Sequence, residues 1–351
     1  MSEGTVPATR MPPQEIYAAA RQAEKDGFRL AQLEFTDLYI TEDGTAFLKN
    51  VTGASGVIAQ IPRGVVEDLN DVMPIVFARG QKQKHFALEH DGVRYRCARM
   101  KHQENTTYVM RRVPSPVPGF STLGLPKVVV HTFAGYASSR KKEGLILLAG
   151  ATGSGKTTTA SSLLQAFVTF SGGVGVTVED PPELGLEGKM GANGRCYQIT
   201  VEDGVFGPYI KDALRWSPNY ILIGEVRDSQ AAYEAIRLAV SGHLVITTIH
   251  AKSPIGAIQA LIKYASVLES KDLVQNILSD SLSAVVHQKL ERHPEHGMML
   301  RGEFLFVGDD PAIRTKIREG NISSLKQELE AQKILIEQGR SPLLSSDERR
   351  R

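Results

Sequence analysis

The decapeptide GATGSGKTTT, beginning at Gly150, constrains this chain more than any other stretch of it. It follows the apolar run LILLA (145–149) and leads into KTTTASSLLQAFVTF, a good helix former. Strand, glycine-rich loop and helix in that order satisfy the pattern GxxxxGK[ST]. Glycines let successive backbone N–H groups turn inward around an anion, and the helix N-terminus adds partial positive charge. Gly150, Thr152, Gly153, Ser154, Gly155, Lys156, Thr157 and Thr158 are therefore the candidate phosphate-binding residues. Lys156 has the reach to meet the β- and γ-phosphates of ATP, and Thr157 offers a hydroxyl to Mg2+.

The surrounding sequence repeats the theme of buried strand and covering helix. GVTV (175–178), YILIG (220–224) and LVITTI (244–249) are apolar runs bounded by turn residues. Strands buried on both faces read this way, so an α/β domain with a parallel sheet is expected over 127–322. Ligands in such sheets bind beyond the carboxyl ends of the strands. Those ends carry Glu179, Asp180 and Glu183 in VTVEDPPE, Glu225 and Asp228 in YILIGEVRD, and His250 in LVITTIHA. Glu179, Glu225 and His250 are expected to converge beside the loop, whereas His243 stands at the start of its strand and farther away. Beyond residue 253, PIGAIQALIKYASVL and KDLVQNILSDSLSAVVHQKL place apolar residues three and four apart and read as packed helices. SSLKQELEAQKILIEQG is a further helix within a C-terminal segment, 323–351, that either caps the bundle or docks a partner. The final SSDERRR is expected to be disordered.

Upstream, residues 1–13 read as a disordered leader and 14–113 as a mixed α+β domain. QEIYAAARQAEKDGF and RGVVEDLNDVMPIVFARG are helix candidates, the second with a possible break at Pro74. TDLYI, AFLKNV and TTYVMRRV read as strands, and HFALEH-DG-VRYRCARM as a hairpin turning at Asp91-Gly92. The Pro- and Gly-rich PSPVPGFSTLGLP (114–126) reads as a linker, either a surface connection or a hinge.

Composition excludes more than it proposes. Lys plus Arg (41) nearly balances Asp plus Glu (39) over 351 residues, which argues against direct nucleic-acid binding. No basic-then-apolar leader and no membrane-length apolar run are present, so a cytoplasmic chain is expected. Two cysteines about a hundred residues apart form neither a CxxC pair nor a disulfide framework. Both are expected to be small buried thiols, with an exposed loop position as the alternative for Cys196.

Taken in order, GATGSGKTTT, VTVEDPPE, ILIGEVRD and GHLVITTIHA resemble the Walker A, Asp-box, Walker B and His-box motifs of the secretion-superfamily ATPases. These are hexameric motors of type II secretion, type IV pili and type IV secretion. The resemblance implies a RecA-like P-loop core preceded by a PAS-like α+β domain. It implies that Glu225 polarises the attacking water, that Glu179 and Asp180 stand near Mg2+ and the phosphates, and that His250 senses the γ-phosphate. Through the His-box it adds His243 to the nucleotide-binding candidates. VRYRCAR and YVMRRVPS resemble the segments that carry trans-acting arginines, which implies that Arg96 and Arg111 reach a nucleotide from the N-terminal domain. The planar guanidinium suits the equatorial oxygens of a transferring phosphoryl group. For Arg99 and Arg112 an ordinary charge on a strand weighs more heavily.

The same resemblance implies a homo-hexamer that docks on an inner-membrane platform or secretion-complex protein at the cytoplasmic face, meeting the membrane only through partners. AIRTKIREG (312–320) is similar to a motif of pilus-retraction ATPases, with Thr315 and Lys316 departing from it, and the long loop after the Asp-box fits the type IVB secretion and conjugation ATPases about as well. A RecA-like nucleic-acid translocase is the main alternative. A small-molecule kinase lacks an Arg-rich lid, and a non-hydrolysing subunit has no need of Glu225.

Overall fold

The computed structural model describes residues 11–23, 27–103, 105–113, 116–138, 143–201, 204–293 and 297–343. Residues 1–10 of the expected 1–13 leader and the charged tail after 343 lie outside them, and Pro13 of that leader opens the first helix. The chain divides into two compact units, Met1–Ser115 and Pro116–Arg351.

In the first unit, α1 (Pro13–Gln22) is followed by β1 (Asp37–Thr41), β2 (Ala46–Lys49) and β3 (Ile58–Gln60). Then come α2 (Val66–Lys82), β4 (His85–His90), β5 (Val93–His102) and β6 (Asn105–Arg112). The strands form one antiparallel sheet in the order β3-β2-β1-β6-β5-β4. Asp91 and Gly92, at φ 48° and 72°, make the two-residue turn expected between β4 and β5. The period of two sends Leu38, Ile40, Tyr95, Cys97, Tyr108 and Met110 into one core with Ala20, Val72 and Val76 of the helices. α2 runs unbroken through Pro74, whose ring is on the exposed side. Its close seat on the sheet requires glycine at 80, where a Cβ would come within 2.0 Å of the Tyr108 ring.

Two arginines serve this scaffold. Arg99 donates to the Gly80 carbonyl near the end of α2, and Arg112 donates to the carbonyls of Ala31 and Leu33 beside the Phe35 ring. Asp68, almost wholly buried, accepts from the Leu30 amide, Arg29 and His90 and so ties three segments together.

The second unit comprises α3 (Lys127–Ser138), β7 (Gly144–Ala149), α4 (Lys156–Ser171), β8 (Gly173–Glu179), β9 (Gly188–Met190) and β10 (Gly194–Thr200). It continues with α5 (Phe206–Ala213), β11 (Tyr220–Ile223), α6 (Ser229–Val240), β12 (Leu244–Ile249), α7 (Pro254–Ala265) and α8 (Lys271–Ser281). It ends with β13 (Leu282–His293), β14 (Gly297–Phe306), α9 (Pro311–Arg318) and α10 (Lys326–Glu337). The eight strands run in the order β14-β13-β7-β12-β11-β8-β10-β9, with the inner six parallel and the outermost on each side antiparallel. Leu147, Ile221, Val245 and Val285 face the α5–α9 side, and Ile146, Leu148, Leu222 and Val286 face α3 and α4. No described helix is long and apolar enough to cross a membrane.

Two expectations are revised, and the buried reading of both cysteines holds. LSAVVHQKL is not helical: α8 stops at Ser281 and the chain turns directly into β13. The proline-rich segment, from residue 116 on, belongs to the second unit, with Val117, Phe120 and Leu125 in its core and Phe120 edge-on to Phe133. Cys196 is buried like Cys97, and burial pushes both thiols up to about 12, which leaves them inert at neutral pH.

The C-terminal helix α10 packs on the sheet edge. Gln332 accepts from the Phe306 amide at 2.8 Å and donates to the Phe306 carbonyl at 2.7 Å, answering both outward-facing backbone groups of that residue.

Candidate functional site

The loop between β7 and α4 is shaped by three glycines in conformations that L-residues avoid. Gly150, Gly153 and Gly155 have φ of 153°, 76° and 84°, and Gly155 is the N-cap of α4. A Cβ on Gly153 would meet nothing within 4 Å, so its glycine requirement is conformational. A Cβ on Gly150 would lie 2.4 Å from the Gln288 carbonyl oxygen and 2.5 Å from Ser154 Oγ, so there the requirement is also space. The result is a concave run of backbone ending on the N-terminus of a sixteen-residue helix, which fits a polyphosphate. Ala151, Thr152 and Gly153 are exposed, whereas Ser154 Oγ is buried without a hydrogen-bond partner.

Lys156 opens α4 and is buried, its Nζ donating to the carbonyls of Gly150 and Ala151 at 2.9 Å each. Burial lowers its pKa, and the charges of Glu225 and Glu183 oppose that shift, so both carboxylates act on this ammonium group. Thr157 and Thr158 follow in the first turn, half-buried.

Glu225 follows β11. The strand end is braced from β12, because Thr247 Oγ1 donates to the Ile223 carbonyl and Thr248 Oγ1 to the Gly224 carbonyl. The Glu225 carboxylate lies between two cationic or potentially cationic groups: Oε1 is 2.8 Å from His250 Nε2 and Oε2 is 2.7 Å from Arg227 Nε. His250 is exposed and directly follows β12.

Glu179 ends β8 and is buried, and burial raises its pKa above the ordinary carboxylate range. Its Oε1 accepts from Gln198 Nε2 at 3.2 Å. Gln198 also donates to the Leu184 carbonyl and accepts from the amides of Leu186 and Glu187, pinning the loop after the Asp-box. Gly224, beside Glu225, leaves the room that Glu179 uses: a Cβ there would be 3.3 Å from Glu179 Cγ.

Glu179, Asp180, Glu225 and His250 thus stand with the loop at the carboxyl ends of the parallel strands. His243 does not: it precedes β12, its carbonyl accepts from Gly144 at the start of β7, and it lies at the opposite end of the sheet from Gly150. A strand's length separates it from the loop of its own subunit. Asp228 is the N-cap of α6, accepting from the Ala231 amide, and is not part of the acidic group.

Arg96 and Arg111 belong to the first unit, directly opposite each other across β5 and β6 on the sheet face away from its core. Arg111 is largely exposed yet is held by the buried Asp37, Nε to Oδ1 2.7 Å. Asp37 is also opposite Arg111 in the β1–β6 pairing.

Two glutamines of the site, Gln198 and a second on β13, escaped the sequence reading. Gln288, on β13, is almost wholly buried and donates from Nε2 to the Ser154 carbonyl at 2.7 Å. The available signal was a polar residue in the alternating run Ala284, Val286, Gln288, Leu290, which the helical reading obscured.

The comparisons agree with this fold. Residues 73–320 match the family model described as type II/IV secretion system protein. The uncharacterized protein YggR of Escherichia coli (strain K12) is 32% identical over 260 residues, covering 73% of this chain and 75% of that one. The type IV pilus retraction ATPase PilT of Pseudomonas aeruginosa is 32% identical over 242 residues, covering 68% and 67%. A crystal structure of the pilus retraction motor PilT with bound ADP superposes with a TM-score of 0.71 at 25% identity, over 97% of this chain and 96% of that one. The chain belongs to the type II/IV secretion system protein family and is built as a P-loop ATPase.

Proposed function

We propose that the chain is a ring-forming motor that hydrolyses ATP to move its first unit against a neighbouring subunit, driving pilus dynamics or type IV secretion. The observation that carries this reading is the held Glu225. A carboxylate fixed by His250 and Arg227 beside the phosphate loop is oriented to align a water on the γ-phosphate, with a histidine positioned to register the loss of that phosphate. Thr157 and the Asp-box acids Glu179 and Asp180 would hold Mg2+, which would neutralise charge on the phosphates.

Arg96 and Arg111 supply the remaining requirement, cationic donors to a nucleotide held by an adjacent subunit. The two guanidinium groups stand opposite each other on one sheet face, and Asp37 holds that of Arg111 in place. A hexamer docked on a membrane-embedded platform protein at the cytoplasmic face of the inner membrane follows from this reading, as does indifference to nucleic acid.

A mixing experiment tests it. Lys156→Ala removes a subunit's own phosphate site and Arg111→Ala removes its contribution to a neighbour. Each variant alone is expected to be nearly inactive, and mixtures are expected to regain phosphate release. Equal specific activity of monomer and oligomer in the unmodified protein would overturn the trans-arginine assignment.

A further inference from the structure

Gln288 reaches the phosphate loop from a strand that carries none of the family's nucleotide motifs. β13 lies beside β7 with His287 opposite Ala149, so residue 288 comes next to the first residue of the loop. Its main chain abuts Gly150 so closely that only glycine fits there, and its side chain donates to the Ser154 carbonyl. Its Nε2 also lies 3.3 Å from where a Cβ on Gly155 would sit. One residue therefore touches the loop at its beginning and at its end.

The hydrogen bond to Ser154 has a directional consequence. In a trans peptide the carbonyl and the following N–H lie in one plane and point in opposite directions within it. Holding the Ser154 carbonyl toward β13 therefore turns the Gly155 N–H away from β13, into the concave side of the loop. Gly155, with φ of 84° and no side chain, has the freedom to rotate that peptide plane if nothing restrains it. We infer that Gln288 is a positioning residue for nucleotide binding: it fixes the 154–155 peptide so that the Gly155 amide is presented to the phosphates before nucleotide arrives. This inference rests on the nucleotide-binding reading of the loop.

The burial of Gln288 sharpens the case. Its Oε1 has no hydrogen-bond partner, and the bond its Nε2 donates to Ser154 answers the other end of the buried amide. A leucine or methionine would fill the space without an orphaned polar atom, and on packing grounds alone would be the better residue. What the amide adds is the bond to the loop.

The test uses full-length Gln288→Met, which keeps the unbranched shape and removes the donor, and Gln288→Glu, which keeps the shape and puts an acceptor against the Ser154 carbonyl. Binding of a fluorescent ADP analogue is measured together with thermal unfolding, steady-state kinetics and amide hydrogen exchange across 150–156. For Gln288→Met the dissociation constant and KM are expected to rise about three- to tenfold, the net worth of one hydrogen bond, with kcat and melting temperature close to wild type. Gln288→Glu is expected to bind more weakly still, and nucleotide-free exchange in the loop is expected to quicken in both. Wild-type affinity and exchange in Gln288→Met would overturn the inference. So would a kcat that falls with the folded fraction at unchanged KM, because that marks a merely structural role. Should Gln288→Met not fold, the same affinity and exchange criteria apply to Gln288→Glu. Failure of the unmodified protein to bind the analogue would instead overturn the nucleotide reading itself.

Discussion

His250 Nε2 lies 2.8 Å from Glu225 Oε1 across the ends of two adjacent parallel strands. The contact makes the carboxylate and the histidine one unit. Glu225→Gln keeps the size of the side chain and removes its charge. ATP turnover is expected to fall about 10²- to 10⁴-fold, the range of general-base contributions, with nucleotide affinity retained. Phosphate release and equilibrium binding on the same preparation check this.

Because the two residues act as a unit, their losses are not expected to add. His250→Ala alone should lower kcat severely. In the Glu225→Gln background the same change should cost little more, giving a coupling of about 0.5–3 kcal/mol in a double-mutant cycle. Additive losses would mean that the contact has no part in turnover.

Glu179 yields a pH prediction. Burial holds its folded-state pKa above the value in the unfolded chain, about 4.3. Below that value both states are protonated and the buried carboxyl carries no penalty. As pH rises through the folded-state value, ionisation favours the unfolded chain and stability is lost. Glu179→Gln should therefore match wild type in melting temperature in acid and exceed it at about pH 8, by roughly 2–4 °C for each kcal/mol relieved. Nucleotide-free protein followed by calorimetry is the measurement, and a gap that narrows on raising the pH would refute the assignment.

Gln332→Leu removes both hydrogen bonds to Phe306 while keeping an apolar contact on α10. Leaving a buried amide and carbonyl unanswered should cost about 1–3 kcal/mol. The second unit should melt lower, while ATP turnover per folded molecule stays near wild type. Loss of turnover without loss of stability would instead give α10 a part in the chemistry.

The nucleotide site was legible because its chemistry is local in sequence. GATGSGKTTT has the required strand before it and helix after it, and Glu179 ends a buried strand while Glu225 and His250 follow theirs within two residues. The β13 strand was not legible. Val274, Leu278, Leu282 and Val285 keep a helix-like spacing of three and four straight across the boundary at Ser281, and no glycine or proline marks the change of element. What decides it is tertiary: Ala284, Val286 and Gln288 need β7 as a neighbour, and that pairing joins residues more than a hundred positions apart. Gln288 and Gln198 were invisible for the same reason, since a glutamine's value lies in the backbone groups it meets. Asp228 shows the reverse error, an acid at a strand end that caps a helix.

The two borders of the large sheet are treated unequally, and both treatments stop it from growing. On one side β9 is only three residues long. On the other, α10 lies over the end of β14 and answers Phe306 through Gln332, while the uncovered part carries Arg301 and Glu303. An open strand invites another chain to add itself as the next rung, a hazard that short borders, covering helices and charges all suppress. Copies of this chain at high local density are thereby barred from joining strand to strand into a continuous ribbon. Contact between copies through this sheet's borders is left to side chains and loops, where association can be made and undone without unpicking a ladder of backbone bonds.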